Sequence, residues 1–197
     1  MRIGRILMIS LVAAVGFGDP AVAQFTVTGD AARRTNDKIS INADTARKLA
    51  QACEDIARRN NSQMVVVVLD PFGMVVHQHR MDGIGYVSIV AAQNKARTAL
   101  LTRQPSVVLA NRQHRDPFTE THMFQYDLTV QEGGFPIIVD GQIIGAIGVG
   151  GIAGNQRTPT YDEQTCARDA LIAVIGPQPP LIPEQVPAPA AGAGQGQ

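Results

Sequence analysis

The chain contains no tryptophan, three tyrosines and six phenylalanines in 197 residues. Aromatic platforms for stacking single-stranded bases are therefore scarce. An excess of one charge is missing too: 17 Lys and Arg balance 17 Asp and Glu. Such a surface has no basic field of the kind that duplex nucleic acid requires, so no nucleic-acid partner is expected. Catalytic signatures are equally scarce. Neither a Gly-x-Ser-x-Gly elbow nor a His-Glu-x-x-His zinc helix occurs. Cys53 and Cys166 are the only cysteines, and neither has a ligand-spaced partner, which argues against a cysteine zinc site. Both fall on apolar faces of predicted helices. They either pair across neighbouring helices or remain two buried thiols.

Long apolar runs are also lacking. Ile6 to Phe17 is apolar but short for a bilayer span, and Gly18-Asp19-Pro20 ends it. Arg2 and Arg5 precede the run, and Ala21-Val22-Ala23 fits a small-x-small cleavage site. Residues 1–23 thus read as a secretory signal with Gln24 opening the mature chain. The expectation is a periplasmic or secreted protein with no stable membrane insertion once the signal is cut. Residues 24–38 form a polar, extended lead-in. Residues 177–197 are rich in Pro, Ala, Gly and Gln without periodicity, and are expected to be a disordered tail. Residues 39–176 remain, enough for one domain with its own core.

What is present is clear periodicity. Ala46, Leu49, Ala50, Cys53, Ile56 and Ala57 recur at helical spacing behind a cap at Asn42 or Asp44, predicting a helix to about Asn60. Met64 to Leu69 is a β-branched run, hence a strand buried on both faces. Asp70-Pro71-Phe72-Gly73 turns the chain into a second strand over Met74–Arg80. A helix is predicted over Val87–Leu101, and a short one from Ser106 to about Asn111. Arg112–Glu132 is polar and ambiguous. Two β-rich runs then flank Asp140-Gly141, a pair suited to a primed hairpin turn. The last helix is predicted over Asp162–Ile175. This order predicts an α+β fold with an antiparallel sheet and flanking helices.

The second run of the hairpin carries Gly145, Gly148, Gly150 and Gly151. Gly148-x-Gly150-x-x-Ala153 matches a relaxed dinucleotide fingerprint, but Pro159 delays the next helix, and tight backbone packing explains these glycines better. His77 and His79 are two apart on one strand and share a face, as a metal or haem-iron ligand pair would. Two half-exposed strand histidines are the simpler reading. His114 and His122 lie in the ambiguous segment, within reach of a shared cavity. Lys95 sits among small residues on a helix, where it meets a carboxylate, binds an anionic group such as a propionate, or stands as an ordinary helix-surface lysine. Asp82 follows a strand end, as a loop cap or a catalytic carboxylate.

The ordered set of segments resembles the GlcG/HbpS family, whose haem-binding domain also forms the C-terminus of PduO-type cobalamin adenosyltransferases. The segments that carry the likeness are Asp44-Thr45-Ala46, Val65 to Gly73, Arg80-Met81-Asp82-Gly83, Ser88, Lys95 to Ala99 and Gln104-Pro105-Ser106. Further along come Gly133 to Ile137, Gly141, Gly145 to Gly151 and Asp162 to Ala167. The likeness spans residues 39–176. It implies a sheet of about five strands, assembly into homo-oligomers, and haem binding in some members through a hydroxyl or imidazole ligand. Ser106 stands where a family member carries a threonine proposed to contact iron. Lys95 and Arg80 fall within matching segments.

The expected function is therefore non-enzymatic binding of haem or a related tetrapyrrole by an exported sensor, store or scavenger. Lys95, Ser106, Arg80, His79 and His77 are the candidate cofactor contacts, and His79, His77 and Ser106 the candidate iron ligands. Two other readings stand beside it. One is an enzyme or accessory subunit acting on a small organic acid through Lys95, Asp82 and His79. The other is an oligomeric scaffold whose glycine-rich strand faces another subunit's backbone.

Overall fold

The computed structural model describes residues 40–115, 118 and 121–186. The expected signal, the lead-in and the end of the tail lie outside these residues. Helix α1 (Ala43–Arg59) starts where Asn42 accepts a hydrogen bond from Thr45 N at 2.8 Å, satisfying one orphan donor of the first turn. Strands β1 (Val65–Leu69) and β2 (Val75–Arg80) follow. Asp70 closes the turn between them by accepting from Phe72 N and Met74 N. Helix α2 (Tyr86–Thr102) ends at Arg103, which takes up the left-handed conformation at φ 59°. Helix α3 (Val107–Arg115) runs four residues further than its pattern predicts.

Strands β3 (Gly134–Val139) and β4 (Gln142–Gly150) form the expected hairpin, with φ of 49° at Asp140 and 76° at Gly141. These angles are those of a primed turn. Helix α4 (Glu163–Val174) opens with a capping box between Asp162 and Thr165. The sheet is antiparallel throughout, in the order β2-β1-β4-β3. Among the described residues it has four strands where about five are expected. Part of the ambiguous segment completes α3, and part forms a 3-10 turn over Thr121–Tyr126, so neither part adds a strand.

Alternation along β1 builds two cores. Val66 and Val68 pack with Leu49, Cys53, Ile147, Cys166 and Leu171 beneath α1 and α4. Val65, Val67 and Leu69 face Ala92, Ala96 and Ala99 of α2. All five strand residues are fully buried, as the β-branched run predicts. The glycines explain how close α2 lies. A methyl at Gly148 would collide with Ala92 O and sit 2.7 Å from Ala96 N. One at Gly150 would sit 2.8 Å from Ser88 O. The glycine-rich strand therefore meets a helix of its own chain, which corrects the expectation of another subunit's backbone there.

Residues 177–186, the described part of the expected tail, lie against the domain. They are tied down by three polar side chains of the domain and strap. Asn111 Nδ2 donates to Glu184 O and Val186 O, and Gln164 Nε2 to Gln185 O. Gln178 accepts from Ile138 N and donates to Ile138 O, pairing with edge strand β3 as a neighbouring strand would. These hydrogen bonds and the apolar side chain of Leu181, packed on the core, offset the poor local propensity of a Pro-rich segment.

Candidate functional site

Where β4 ends and β3 begins, four ionised side chains converge. Lys95 reaches from α2 past the end of the sheet to Glu163, the first residue of α4. Its Nζ lies 2.7 Å from Glu163 Oε2 and 3.1 Å from Val149 O. Both side chains are almost wholly buried, 3% and 5% exposed. A carboxylate at such depth must be paired, and Glu163 is paired twice. Arg157 donates to the same oxygen at 2.7 Å, while Ile152 N donates to Oε1 at 3.3 Å. Arg157 also bonds Glu132 at 2.7 Å, joining the loop before β3 to the loop after β4.

These residues form the floor and one wall of an open cleft of about 330 Å³. Val87, Ser88 and Ala91 line it from α2, His114 from α3, and Val130 and Gln131 from the following loop. Arg157 keeps donors in reserve: each of its nitrogens makes one bond, to Ile152 O, Glu132 or Glu163, and a guanidinium offers five. The cleft thus presents an imidazole, a half-exposed guanidinium and three apolar side chains.

The candidate residues divide between two places. Of the three readings of Lys95, the structure shows pairing with a carboxylate, and its ammonium is walled in. Ser106 is fully buried beside Gly134, where its hydroxyl donates to Gln131 O at 2.6 Å and accepts from Gly134 N at 2.9 Å. It fixes the start of β3. The histidines lie elsewhere. His77 and His79 pair with Val68 and Val66 and so share the α1 face of β2, the opposite edge of the sheet from β3. Three strand spacings, roughly 14 Å, separate the two edges. His79 Nε2 lies 3.0 Å from Glu54 Oε2. Burial, then the neighbouring His79 and Arg47, push the His77 pKa below its ordinary value.

Arg80 donates to Ile84 O at 2.8 Å. It lines a second cleft of about 230 Å³ with Glu54, Arg58, His79 and Asp82. His77, His79 and Ser106 therefore do not converge on one iron. Nor do Asp82 and His79 join Lys95, so no shared acid–base pocket forms from those three. Among the described residues, no three His, Cys, Asp or Glu side chains are grouped to hold a metal ion. His114 is the histidine that reaches the Lys95 cleft, while His122 is exposed on the 3-10 turn and does not line it. Sequence reasoning passed over Glu163, Arg157 and Glu132. The one available signal was Glu163 in the first turn of a capped helix, a position common to many solvated carboxylates.

Comparison with known proteins agrees with this architecture. A family model described as "Haem degrading protein HbpS-like" matches residues 41–170. Protein GlcG of Escherichia coli (strain K12) is 34% identical over 114 residues, which cover 57% of this chain and 82% of that protein. A crystal structure of a double mutant of HbpS from Streptomyces reticuli superposes with a TM-score of 0.61 at 27% identity. That match covers 80% of this chain and 99% of the HbpS chain. A PduOC:heme complex superposes with a TM-score of 0.60 at 22% identity, covering 69% of this chain and 96% of that one, a likeness of fold. With the family match spanning most of the described domain, the chain belongs to the HbpS-like family.

Proposed function

We propose that this chain binds haem or a related tetrapyrrole in the Lys95–Glu163 cleft, as an exported sensor, store or scavenger. A haem site needs an iron ligand, flat apolar walls and a cation for the propionates. The observation that carries the reading is that one mostly polar cleft brings together His114, the apolar side chains of Val87, Ala91 and Val130, and the unspent donors of Arg157. Val87, which lines the cleft, is 80% exposed, and its chain neighbour Tyr86 is 77% exposed. The residues present fit the group in its iron ligand and its propionate partner, while the apolar contacts come from three side chains. Bound haem supplies a redox-active iron and a strong chromophore. The chain's own part is to hold it: His114 ligates, Arg157 neutralises a propionate, and the buried Lys95–Glu163 pair keeps Arg157 in place. The relatives include a PduOC:heme complex, and the family description names haem. The assembly is expected to be a homo-oligomer, and the destination the periplasm or the medium.

Titration of the purified chain with hemin tests this. A saturable shift of the Soret band is expected, and His114→Ala should weaken binding at least about tenfold and alter the band. No saturable shift would dismiss haem binding. Retention of the wild-type band in His114→Ala with its loss in His79→Ala would move the ligand to the second cleft.

A second reading rests on the same rim. Arg157 beside His114 also suits a small carboxylate, as the organic-acid hypothesis requires. Displacement of hemin by short-chain organic acids at millimolar concentration would favour it, and indifference to them would exclude it.

A further inference from the structure

Cys53 and Cys166 have no part in either cleft, yet they face each other across the contact between α1 and α4. Cys53 Sγ lies 3.5 Å from Cys166 O, and Cys166 Sγ lies 3.6 Å from Cys53 O. This reciprocal arrangement sets the two thiols side by side. Both are completely buried, within a core that includes Leu49, Ala50, Tyr161 and Ala170. We infer that Cys53 and Cys166, free thiols in this structure, are a disulfide-forming pair that clamps α1 to α4.

The placement favours a clamp over two inert hydrophobes. The residues are 113 apart in sequence, so a bond between them removes much of the unfolded chain's freedom. Cys166 lies one turn beyond Glu163, so the bond would anchor the helix that presents the buried carboxylate. The oxidant is a low-molecular-weight disulfide such as oxidised glutathione. Cys53 thiolate attacks one glutathione sulfur, forming a mixed disulfide and releasing one glutathione thiolate. Cys166 thiolate then attacks the Cys53 sulfur and releases the second. The two protein thiol protons end on the two glutathione thiols, and two electrons pass from the cysteines to glutathione. A hydrogen bond with the Cys166 thiol, and then burial, hold the Cys53 pKa well above its ordinary value. The thiolate is therefore scarce in the folded, reduced protein, and the bond forms fastest while the helices are still docking.

The test uses the full chain in two samples. One is reduced, unfolded in urea and diluted into a glutathione redox buffer; the other is reduced, kept folded, and held in the same buffer at pH 8.5. Both should end lighter by two hydrogen atoms, with no thiol titratable after denaturation, and the refolded sample should arrive first. The oxidised chain should melt roughly 10 °C above the reduced one. Persistence of two titratable thiols in protein of native ellipticity would overturn the inference. So would glutathione retained on either cysteine, or an oxidised chain that melts no higher than the reduced one.

Discussion

Replacing Gly148 by alanine tests how closely α2 is seated on the sheet. The added methyl would collide with Ala92 O, and would stand 2.7 Å from Ala96 N and 3.0 Å from Ala96 Cβ. Two of those atoms belong to helix backbone, so no side-chain rotation relieves the contact. Either α2 lifts from β4 or the strand bends, and both disturb the packing of Val65, Val67 and Leu69 against the helix alanines. Overpacking of this kind costs about 3 kcal/mol, the upper end of its usual range, because the obstruction is backbone. Reduced freedom of the unfolded chain returns only about 0.4–1 kcal/mol. For a domain of this size a net loss near ~2–3 kcal/mol lowers the melting temperature by roughly 4–12 °C. Gly154→Ala is the control, since a methyl there meets nothing within 4 Å, and its effect should stay within about 1 kcal/mol. Urea titration followed by circular dichroism reads both. Equal midpoints for the two variants would refute the packing argument. Loss of oligomers from Gly148→Ala protein of unchanged monomer stability would restore the scaffold reading of the glycine-rich strand.

Other expectations follow from the buried charges, the histidines and the strap. Glu163→Gln leaves Lys95 buried without its counter-charge and should cost about 3–5 kcal/mol in urea titration, whereas Lys95→Met combined with Glu163→Leu should lose less than the two single substitutions together. His77 titrates lower in the folded chain than in the unfolded one. As pH falls through the ordinary histidine range the unfolded chain binds the proton first, so stability from this group is full at higher pH and is lost on acidification. His77→Gln should therefore flatten the decline in melting temperature between pH 8 and pH 5, and an unchanged decline would remove His77 as a contributor. Asn111→Ala deletes the donor to Glu184 O and Val186 O, and limited proteolysis should then cut within residues 177–186 faster than in the parent chain.

The elements were legible wherever one local signal dominated. Apolar spacing located α1, the unbroken β-branched run identified β1 as buried on both faces, and Asp140-Gly141 marked the hairpin. The end of α3 was not legible, because Arg112, Gln113, His114 and Arg115 have no apolar face to show where the helix stops. The contacts of residues 177–186 have no local signal for a related reason. Pro-rich composition reports weak local preference, whereas the order of residues 177–186 comes from distant partners, Asn111, Ile138 and Gln164.

The site shows the same division more sharply. Lys95 stands out because a lysine among alanines on a sheet-facing helix needs a counter-charge, and a carboxylate partner could be anticipated. Which carboxylate could not. Glu163 lies 68 residues away on another element, and Arg157 and Glu132 join it only because the loops on either side of the β3–β4 hairpin return to the same end of the sheet. The expectation for His77 and His79 failed to converge with Lys95 for a topological reason. Two-residue spacing correctly places both imidazoles on one face of β2, but it carries no information on strand order. The order β2-β1-β4-β3 sets that face at the far edge from the cleft. His114 enters the cleft because α3 continues past Asn111, so the four residues by which the helix outruns its pattern are what decide which of the two histidines of the ambiguous segment lines it.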